Sequence, residues 1–244
     1  MKAFLLAAGL GTRLKPLTDH SPKCLAPIAG TPLMAIWLDH LHTCGVREIL
    51  INTHHLAEKV EAFVRAWPQQ NLRIRTVHEP ELLGSAGTLL QNEAFVEGEK
   101  NFLIVYADNL CNFDLRRLAR AHGENRKKGG LLTMALFTAP CPSACGIAVL
   151  NAQGLVTDFA EKPENPLSSL ANAGIYAAGP EIFTSLRSHA SHRPYDFGLH
   201  VLPHMTGKMY GLPMEGYLRD IGTPDALAAA QREWPLASRR SHGL

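Results

Sequence analysis

Residues able to do phosphate chemistry cluster at the start of the chain. The run Lys2-Ala3-Phe4-Leu5-Leu6-Ala7-Ala8-Gly9-Leu10-Gly11-Thr12-Arg13-Leu14 is apolar until a glycine-punctuated turn, and an arginine follows at once. Lys23 lies ten residues beyond it, in Ser21-Pro22-Lys23. Small residues let backbone N–H groups approach an anion closely and form a nest for it. Arg13 can fork onto phosphate oxygens and Lys23 can supply a point charge. The pattern points to a loop that holds a nucleoside triphosphate. Two acids also fall where strands end: Asp108 after Asn101–Ala107, and Asp220 after Tyr217.

Two familiar phosphate loops are excluded. Gly9-Leu10-Gly11-Thr12-Arg13-Leu14 lacks the third glycine of the dinucleotide fingerprint, and the second strand closes on Asn52-Thr53 rather than on an acid. The Gly-Lys-Ser/Thr of a P-loop is absent as well.

The elements that must position these residues follow from periodicity. Lys2–Ala7 reads as a strand buried on both faces. The loop from 8 to 30 is long, which marks it as functional. Thr31-Pro32 is expected to open a helix, with Thr31 as N-cap and Leu33, Ile36, Trp37, His40, Leu41 and Cys44 as its apolar stripe, ended by Gly45. Glu48–Thr53 is a strand, and Leu56, Val60, Phe63, Val64 and Trp67 mark a second helix. Arg73–His78 is a weaker strand. Glu79 to Leu89 is a small-residue turn entering a short helix, and it contains Gly84-Ser85-Ala86-Gly87. This alternation predicts a doubly wound, mixed and mainly parallel Rossmann-like sheet. Ligands of such sheets bind at the carboxyl ends of the strands, where the opening loop, the Gly84–Gly87 turn and Asp108 fall.

The later chain has a helix at 115–122 and strands at 131–137, 145–150, 156–161 and 173–178, with Asn151-Ala152-Gln153-Gly154 as a hairpin turn. Helices are expected at 180–186 and 197–205, and a last one from Thr223-Pro224 through Glu233. The reading is one domain over 1–233: a nucleotide half (1–110), a sugar-phosphate half (111–222) and the C-terminal helix (223–233), with 234–244 a tail that is basic, polar and frayed from Ser238 to Leu244.

Composition narrows the class. Of 244 residues, 46% are hydrophobic and 19% charged, and the net charge is +2, so no basic field points to nucleic acid. The five cysteines are scattered and odd in number, and read as thiols of a reducing compartment. Cys141 and Cys145 lack a second pair at zinc spacing. Phe4 to Ala8 is too short and wrongly flanked for a signal peptide, and no run approaches the roughly 20 apolar residues of a membrane span. A cytoplasmic protein is expected, with no membrane partner. His54-His55 reads as a helix start, Trp37 and Trp67 as core, and Asp196 either as an N-cap or as a residue reaching the sugar side.

With these motifs in hand, the chain resembles the sugar-1-phosphate nucleotidylyltransferases, in particular the mannose- and heptose-1-phosphate guanylyltransferases. Leu6 to Leu14 with Pro16-Leu17-Thr18 and Pro22-Lys23 is similar to their signature loop, and Gly84-Ser85-Ala86-Gly87 to their second nucleotide-contacting turn. Ala107-Asp108-Asn109 corresponds to their metal site, with alanine for the usual glycine. Phe159-Ala160-Glu161-Lys162-Pro163 and Asn172-Ala173-Gly174-Ile175-Tyr176 resemble their sugar-side strands, and Asp220-Ile221-Gly222-Thr223-Pro224 their second metal aspartate. The motifs keep their order over about residues 1–233.

The resemblance implies a nucleotidyltransferase (GT-A-like) fold and transfer of a nucleoside monophosphate from a triphosphate to a sugar 1-phosphate, releasing pyrophosphate. It implies that Arg13 stabilises the leaving pyrophosphate and that Lys23 sits on the α-phosphate or the attacking phosphate. Leu6, Ala7, Ala8, Gly9, Gly11, Thr12, Arg13, Gly84, Ser85 and Gly87 would contact the nucleotide. Lys162 would hold the sugar phosphate, Glu161 and Asn172 would bind hydroxyls, and Gly146 would admit the sugar to the backbone. Asp108 and Asp220 would share Mg²⁺. Leu83-Gly84-Ser85-Ala86-Gly87 resembles the guanylyltransferase turn and tilts the reading to GTP. The alternatives are uridylyl or thymidylyl transfer to glucose, another hexose or N-acetylmuramic acid 1-phosphate, and, more distantly, cytidylyl transfer to a non-sugar phosphate. A catalytically silent subunit of the same fold is the alternative of another class. The chain stops after the core, so one activity is expected, and a homo-oligomer is compatible with this reading.

Overall fold

The computed structural model of the protein describes residues 1–68, 71–188, 190 and 192–240. In chain order the regular elements are β1 (Lys2–Leu6), α1 (Leu17–His20), β2 (Pro27–Ile28), β3 (Thr31–Pro32), α2 (Leu33–Thr43), β4 (Glu48–Thr53), α3 (Ala57–Ala66) and β5 (Arg73–His78). Then come α4 (Ser85–Gln91), β6 (Phe102–Tyr106), β7 (Asn109–Cys111), α5 (Leu115–Lys127), β8 (Leu132–Thr138), β9 (Gly146–Leu150), β10 (Val156–Glu161) and β11 (Leu170–Ala178). The last are α6 (Ile182–Ser188), α7 (Phe197–His200), β12 (Met209–Pro213), β13 (Leu218–Asp220) and α8 (Pro224–Arg240). The class is the one the sequence predicts, α/β on a mixed central sheet.

The residues fall into two compact units. One comprises Met1–Phe4, Leu82–Val105 and Leu115–Glu215; the other comprises Leu5–Glu81, Tyr106–Asp114 and Gly216–Leu244. In the first, β11 is the central strand, antiparallel to β6 and to β8, while β8 runs parallel to β12. Its core includes an aromatic cluster in which Phe4 meets Phe95 and Phe102 edge-on and Phe102 stacks on Phe183. In the second, β4 and β5 pair in parallel from Glu48↔Arg73 to Thr53↔His78. The buried face of α2, with Met34, Trp37, Leu38 and Leu41, supplies much of its core. The Trp37 indole N–H donates to the Asn109 carbonyl at 2.7 Å, so burial leaves no orphaned donor there.

Several expectations are corrected. Thr31 does not cap α2. Ala29 and Gly30 both take positive φ, which makes a tight hairpin turn, and Thr31 and Pro32 pair with Ile28 and Pro27. The helix begins only at Leu33. Leu56, expected on the apolar stripe of α3, instead stands before it in the left-handed region. The helix expected at 197–205 is α7 followed by a 3-10 turn at Leu202–Met205. The last helix passes Pro235 and reaches Arg240, so it runs beyond the expected end at Glu233, and the rest of the expected tail, from 241 onward, lies outside the described residues. The hairpin at 151–154 forms as expected, with Asn151 Oδ1 accepting from the N–H groups of Gln153 and Leu155.

Candidate functional site

The second unit gathers four of the charged residues singled out by sequence. β13 pairs antiparallel with β7 so that Asp220 lies opposite Asn109, the residue after Asp108. That register, together with the Ile221 N–H donating to the Asp108 carbonyl at 3.1 Å, brings the two acids to one place. Lys23 Nζ lies between them, 2.8 Å from Asp108 Oδ2 and 2.9 Å from Asp220 Oδ1. Arg13 Nη2 stands 3.8 Å from Asp220 Oδ2. Burial of Lys23 pushes its ammonium pKa down, but the carboxylates of Asp108 and Asp220 more than offset this and hold it above the ordinary lysine value.

Gly222 is part of this arrangement, and the sequence reading gave it no role. A Cβ there would lie 2.8 Å from Arg13 Nη2, 2.9 Å from Asp220 Oδ1 and 3.0 Å from Lys23 Nζ. Any larger residue would crowd the three charged heads and require at least one of them to shift. The signal was present in Asp220-Ile221-Gly222-Thr223-Pro224, but spacing alone did not show what the glycine faces.

The loop that carries the two cations is braced from inside. Gly11 adopts φ +64, where a Cβ would also strike Thr18 Cγ2 at 2.7 Å, and Thr18 donates its hydroxyl to the Gly11 carbonyl at 2.8 Å. A 3-10 turn over Thr12–Leu14 then leaves the side chains of Thr12 and Arg13 exposed. At the start of the loop Ala7 donates its N–H to Asn52 Oδ1 at 2.7 Å, and Asn52 Nδ2 donates to Glu79 Oε1 at 2.9 Å. Asn52 and Glu79 are both buried, so this bracing network was hidden from a reading that looked only for an acid at the end of the strand. His54 and His55, expected at a helix start, stand before α3, which begins at Ala57, and are bonded to the backbone carbonyls of Glu79 and Thr18.

The first unit holds the remaining residues. Glu161 and Gly146 are register partners on β10 and β9, and a Cβ on Gly146 would lie 2.5 Å from Glu161 Oε2. Burial raises the Glu161 pKa, with Asp196 adding to the effect and Lys162 opposing it. Lys162 has φ +49, donates its N–H to the Cys145 carbonyl at 3.0 Å and is exposed. Asn172 sits where the register of β11 against β8 shifts; its Oδ1 accepts from the Gly174 N–H and its Nδ2 donates to Tyr176 Oη at 2.7 Å. Gly84 takes φ +79 with the Tyr195 backbone 2.5 Å from its Cβ position, and Ser85 donates to Asp196 Oδ2 at 3.0 Å. Asp196 caps α7 by accepting from the Leu199 N–H, as one of its two readings expected.

Among the described residues no three His, Cys, Asp or Glu side chains converge in a metal-binding group, and all five cysteines are thiols. Two carboxylates that already share one cation nevertheless suit a hard divalent ion, which takes few protein oxygens and completes its shell with phosphate and water. Asp108 and Asp220 keep 42% and 52% of their side-chain surface exposed, so further carboxylate surface faces solvent. No described helix is long and apolar enough to cross a membrane.

The structure is thus a mixed α/β fold with two cations on the loop after β1 and two carboxylates at or just after strand ends. In comparison with known proteins, residues 2–235 match the nucleotidyl transferase family, and the chain belongs to that family. It is 30% identical over 229 residues to a mannose-1-phosphate guanylyltransferase catalytic subunit beta of Danio rerio, covering 92% of this chain and 62% of that one. It is 32% identical over 243 residues to a UTP--glucose-1-phosphate uridylyltransferase of Synechocystis, covering 92% of this chain and 61% of that one. The chain thus spans about three-fifths of these relatives. A solved structure described as a putative glucose-1-phosphate thymidylyltransferase from Bacillus anthracis shares the fold at TM-score 0.82 and 24% identity, covering 95% of this chain and 94% of that one.

Proposed function

We propose that the protein transfers a nucleoside monophosphate from a nucleoside triphosphate to a sugar 1-phosphate and releases pyrophosphate. The observation that carries this reading is the packing of Arg13, Lys23, Asp108 and Asp220 about Gly222. In the reaction an oxygen of the sugar phosphate attacks the α-phosphorus, and the bond to the pyrophosphate oxygen breaks. Both reactants are anionic, so catalysis consists of positioning and charge neutralisation.

Asp108 and Asp220 would hold Mg²⁺, which supplies charge neutralisation to the triphosphate. Arg13, exposed and tethered only at 3.8 Å, is able to move onto the departing pyrophosphate. Lys23 holds the two carboxylates together and can turn a proton of its ammonium to a phosphate oxygen. The backbone from Leu6 to Thr12 and the Gly84–Gly87 turn contact the nucleotide. Lys162, exposed and in no ion pair among the described residues, takes the sugar phosphate. Gly146, Glu161 and Asn172 contact the sugar. No catalytic group in this scheme is missing, which argues against a silent subunit.

For the base, the Leu83–Gly87 turn and the Danio rerio relative favour GTP with mannose or heptose 1-phosphate. The uridylyltransferase of Synechocystis supports UTP with glucose 1-phosphate as the second reading. The cysteine chemistry supports a cytoplasmic setting. The test is pyrophosphate release with Mg²⁺ over a panel of triphosphates and sugar 1-phosphates. Release is expected, greatest with GTP and mannose or heptose 1-phosphate. Greatest release with UTP and glucose 1-phosphate would establish the second reading, and no release from any pair would overturn the proposal.

A further inference from the structure

Ser85 lies in the turn assigned to the nucleotide, yet its hydroxyl is spent inside the protein. It donates to Asp196 Oδ2 at 3.0 Å and accepts from the Phe197 N–H at 2.8 Å. The backbone on either side is tied to the same segment. Tyr195 donates its N–H to the Leu83 carbonyl at 2.7 Å, and its own carbonyl accepts from the N–H groups of Ala86 at 2.9 Å and Gly87 at 3.1 Å. Gly84 packs so close to Tyr195 that no side chain fits. Asp196 is held in turn: its Oδ1 accepts from the Leu199 N–H at 2.9 Å, and its N–H donates to His200 Nδ1 at 2.9 Å. A Cβ on Gly198 would lie 3.3 Å from Asp196 Oδ1 and 3.6 Å from Glu161 Oε2, so the same carboxylate neighbours the acid assigned to the sugar.

We propose that Asp196 is a positioning residue for the nucleotide turn: through Ser85 it locks Gly84–Gly87 in place, and Ser85 braces the turn rather than reading the base. The inference rests on the reading of that turn as nucleotide-contacting. A charged acceptor makes the Ser85 bond stronger than a neutral pair would be. The turn carries seven residues of helix and no side-chain cap of its own, so the brace replaces one.

The test is a double-mutant cycle of Ser85→Ala and Asp196→Ala, read both as nucleotide affinity by calorimetry and as steady-state pyrophosphate release. Each single variant is expected to weaken triphosphate binding and raise its KM about tenfold or more, with a fall in kcat of less than about threefold. The double variant is expected to lose no more than the worse single one, because both remove the same bond. Ser85→Thr, which keeps a hydroxyl, is expected to retain wild-type affinity, and the preference between GTP and UTP is expected to persist in Ser85→Ala. Additive losses, or wild-type affinity in Ser85→Ala, would overturn the inference while leaving the proposed function intact. A changed base preference in Ser85→Ala would overturn it too, making Ser85 a base reader. If wild-type protein binds nucleotide but releases no pyrophosphate, the proposed reaction falls and the affinity cycle still decides the brace. Absence of nucleotide binding in the wild type would overturn both.

Discussion

Lys23 and Arg13 carry the same formal charge in the same cluster, yet their settings predict opposite signatures. Lys23 is 9% exposed and touches two carboxylates, whereas Arg13 is 68% exposed with one long ion pair. Replacing Lys23 by Met leaves Asp108 and Asp220 facing each other with only the long Arg13 pair to Asp220 in place of their shared cation. The expected cost is about 1–3 kcal/mol of stability by urea denaturation, discounted because the carboxylates are half exposed. Arg13→Ala is expected to change stability by less than about 0.5 kcal/mol but to lower turnover by about 10²-fold. A turnover unchanged in Arg13→Ala would refute its assignment to the leaving group. Glu161 gives a pH signature. Its carboxyl holds a proton to higher pH in the folded protein than in the unfolded chain, so its contribution to stability falls as pH rises past the ordinary glutamate value. The stability of Glu161→Gln relative to wild type is therefore expected to rise between about pH 4 and about pH 7. A constant difference would show that burial does not strain the carboxylate. At this scale the sequence was informative about residue types, since Arg13, Lys23, Asp108 and Asp220 were all picked out. What it did not disclose is that Lys23 faces the acids, because that depends on the pairing of β13 with β7, which joins residues far apart in the chain.

Elements explain where legibility stopped. The strongly periodic or wholly apolar ones, such as β1, β4, β6 and α2, were readable because their pattern is their reason for forming. β12 is not legible in the sequence because Gly211 and Pro213 have the residue types of a turn. Gly211 packs closely there, since a Cβ would lie 2.5 Å from Leu136 Cδ1 on the paired strand and the leucine would have to shift. Thr31-Pro32 has the residue types of a helix opening, but the turn chemistry of Ala29-Gly30 prevails and the β2–β3 hairpin forms there instead. α5 offers a prediction at this scale. His122 is fully buried on it, with Nδ1 bonded to Thr133 Oγ1 and, among the described residues, no partner for Nε2. Burial lowers its pKa, helped by Arg126 and opposed by Glu181, from 6.5 to about 4. The folded protein then binds fewer protons than the unfolded chain in that window, so stability falls as pH drops through it. The loss attributable to His122 is about 3 kcal/mol in full. His122→Leu is expected to remove that part of the acid slope, and an unchanged slope in urea denaturation from about pH 7 to about pH 4 would sink the assignment.

The whole molecule is threaded in a way no local pattern announces. Six segments alternate between the two units. The unit bearing the cations is completed by the last segment, Gly216–Leu244, which supplies more than a terminal helix. It brings β13 to β7, Asp220 to Lys23, and Gln231, which accepts from the Ala29 N–H and donates to the Pro27 carbonyl. Arg219 and Glu233 form a two-pronged ion pair within it. A chain ending at Glu215 would therefore lose the partner strand of β7, one of the two acids around buried Lys23 and the tether of the β2–β3 hairpin together. The expected result is a loss of about 3 kcal/mol or more by urea denaturation, since several of the mechanisms that give large effects act at once. A chain ending at Trp234 keeps Asp220, Gln231 and Glu233 and forfeits the Asn112 bond to the Ala237 carbonyl. Its loss is expected to stay near 1 kcal/mol, roughly one hydrogen bond. Equal losses in the two truncations would mean that the end of α8, and not β13 with its aspartate, completes the unit.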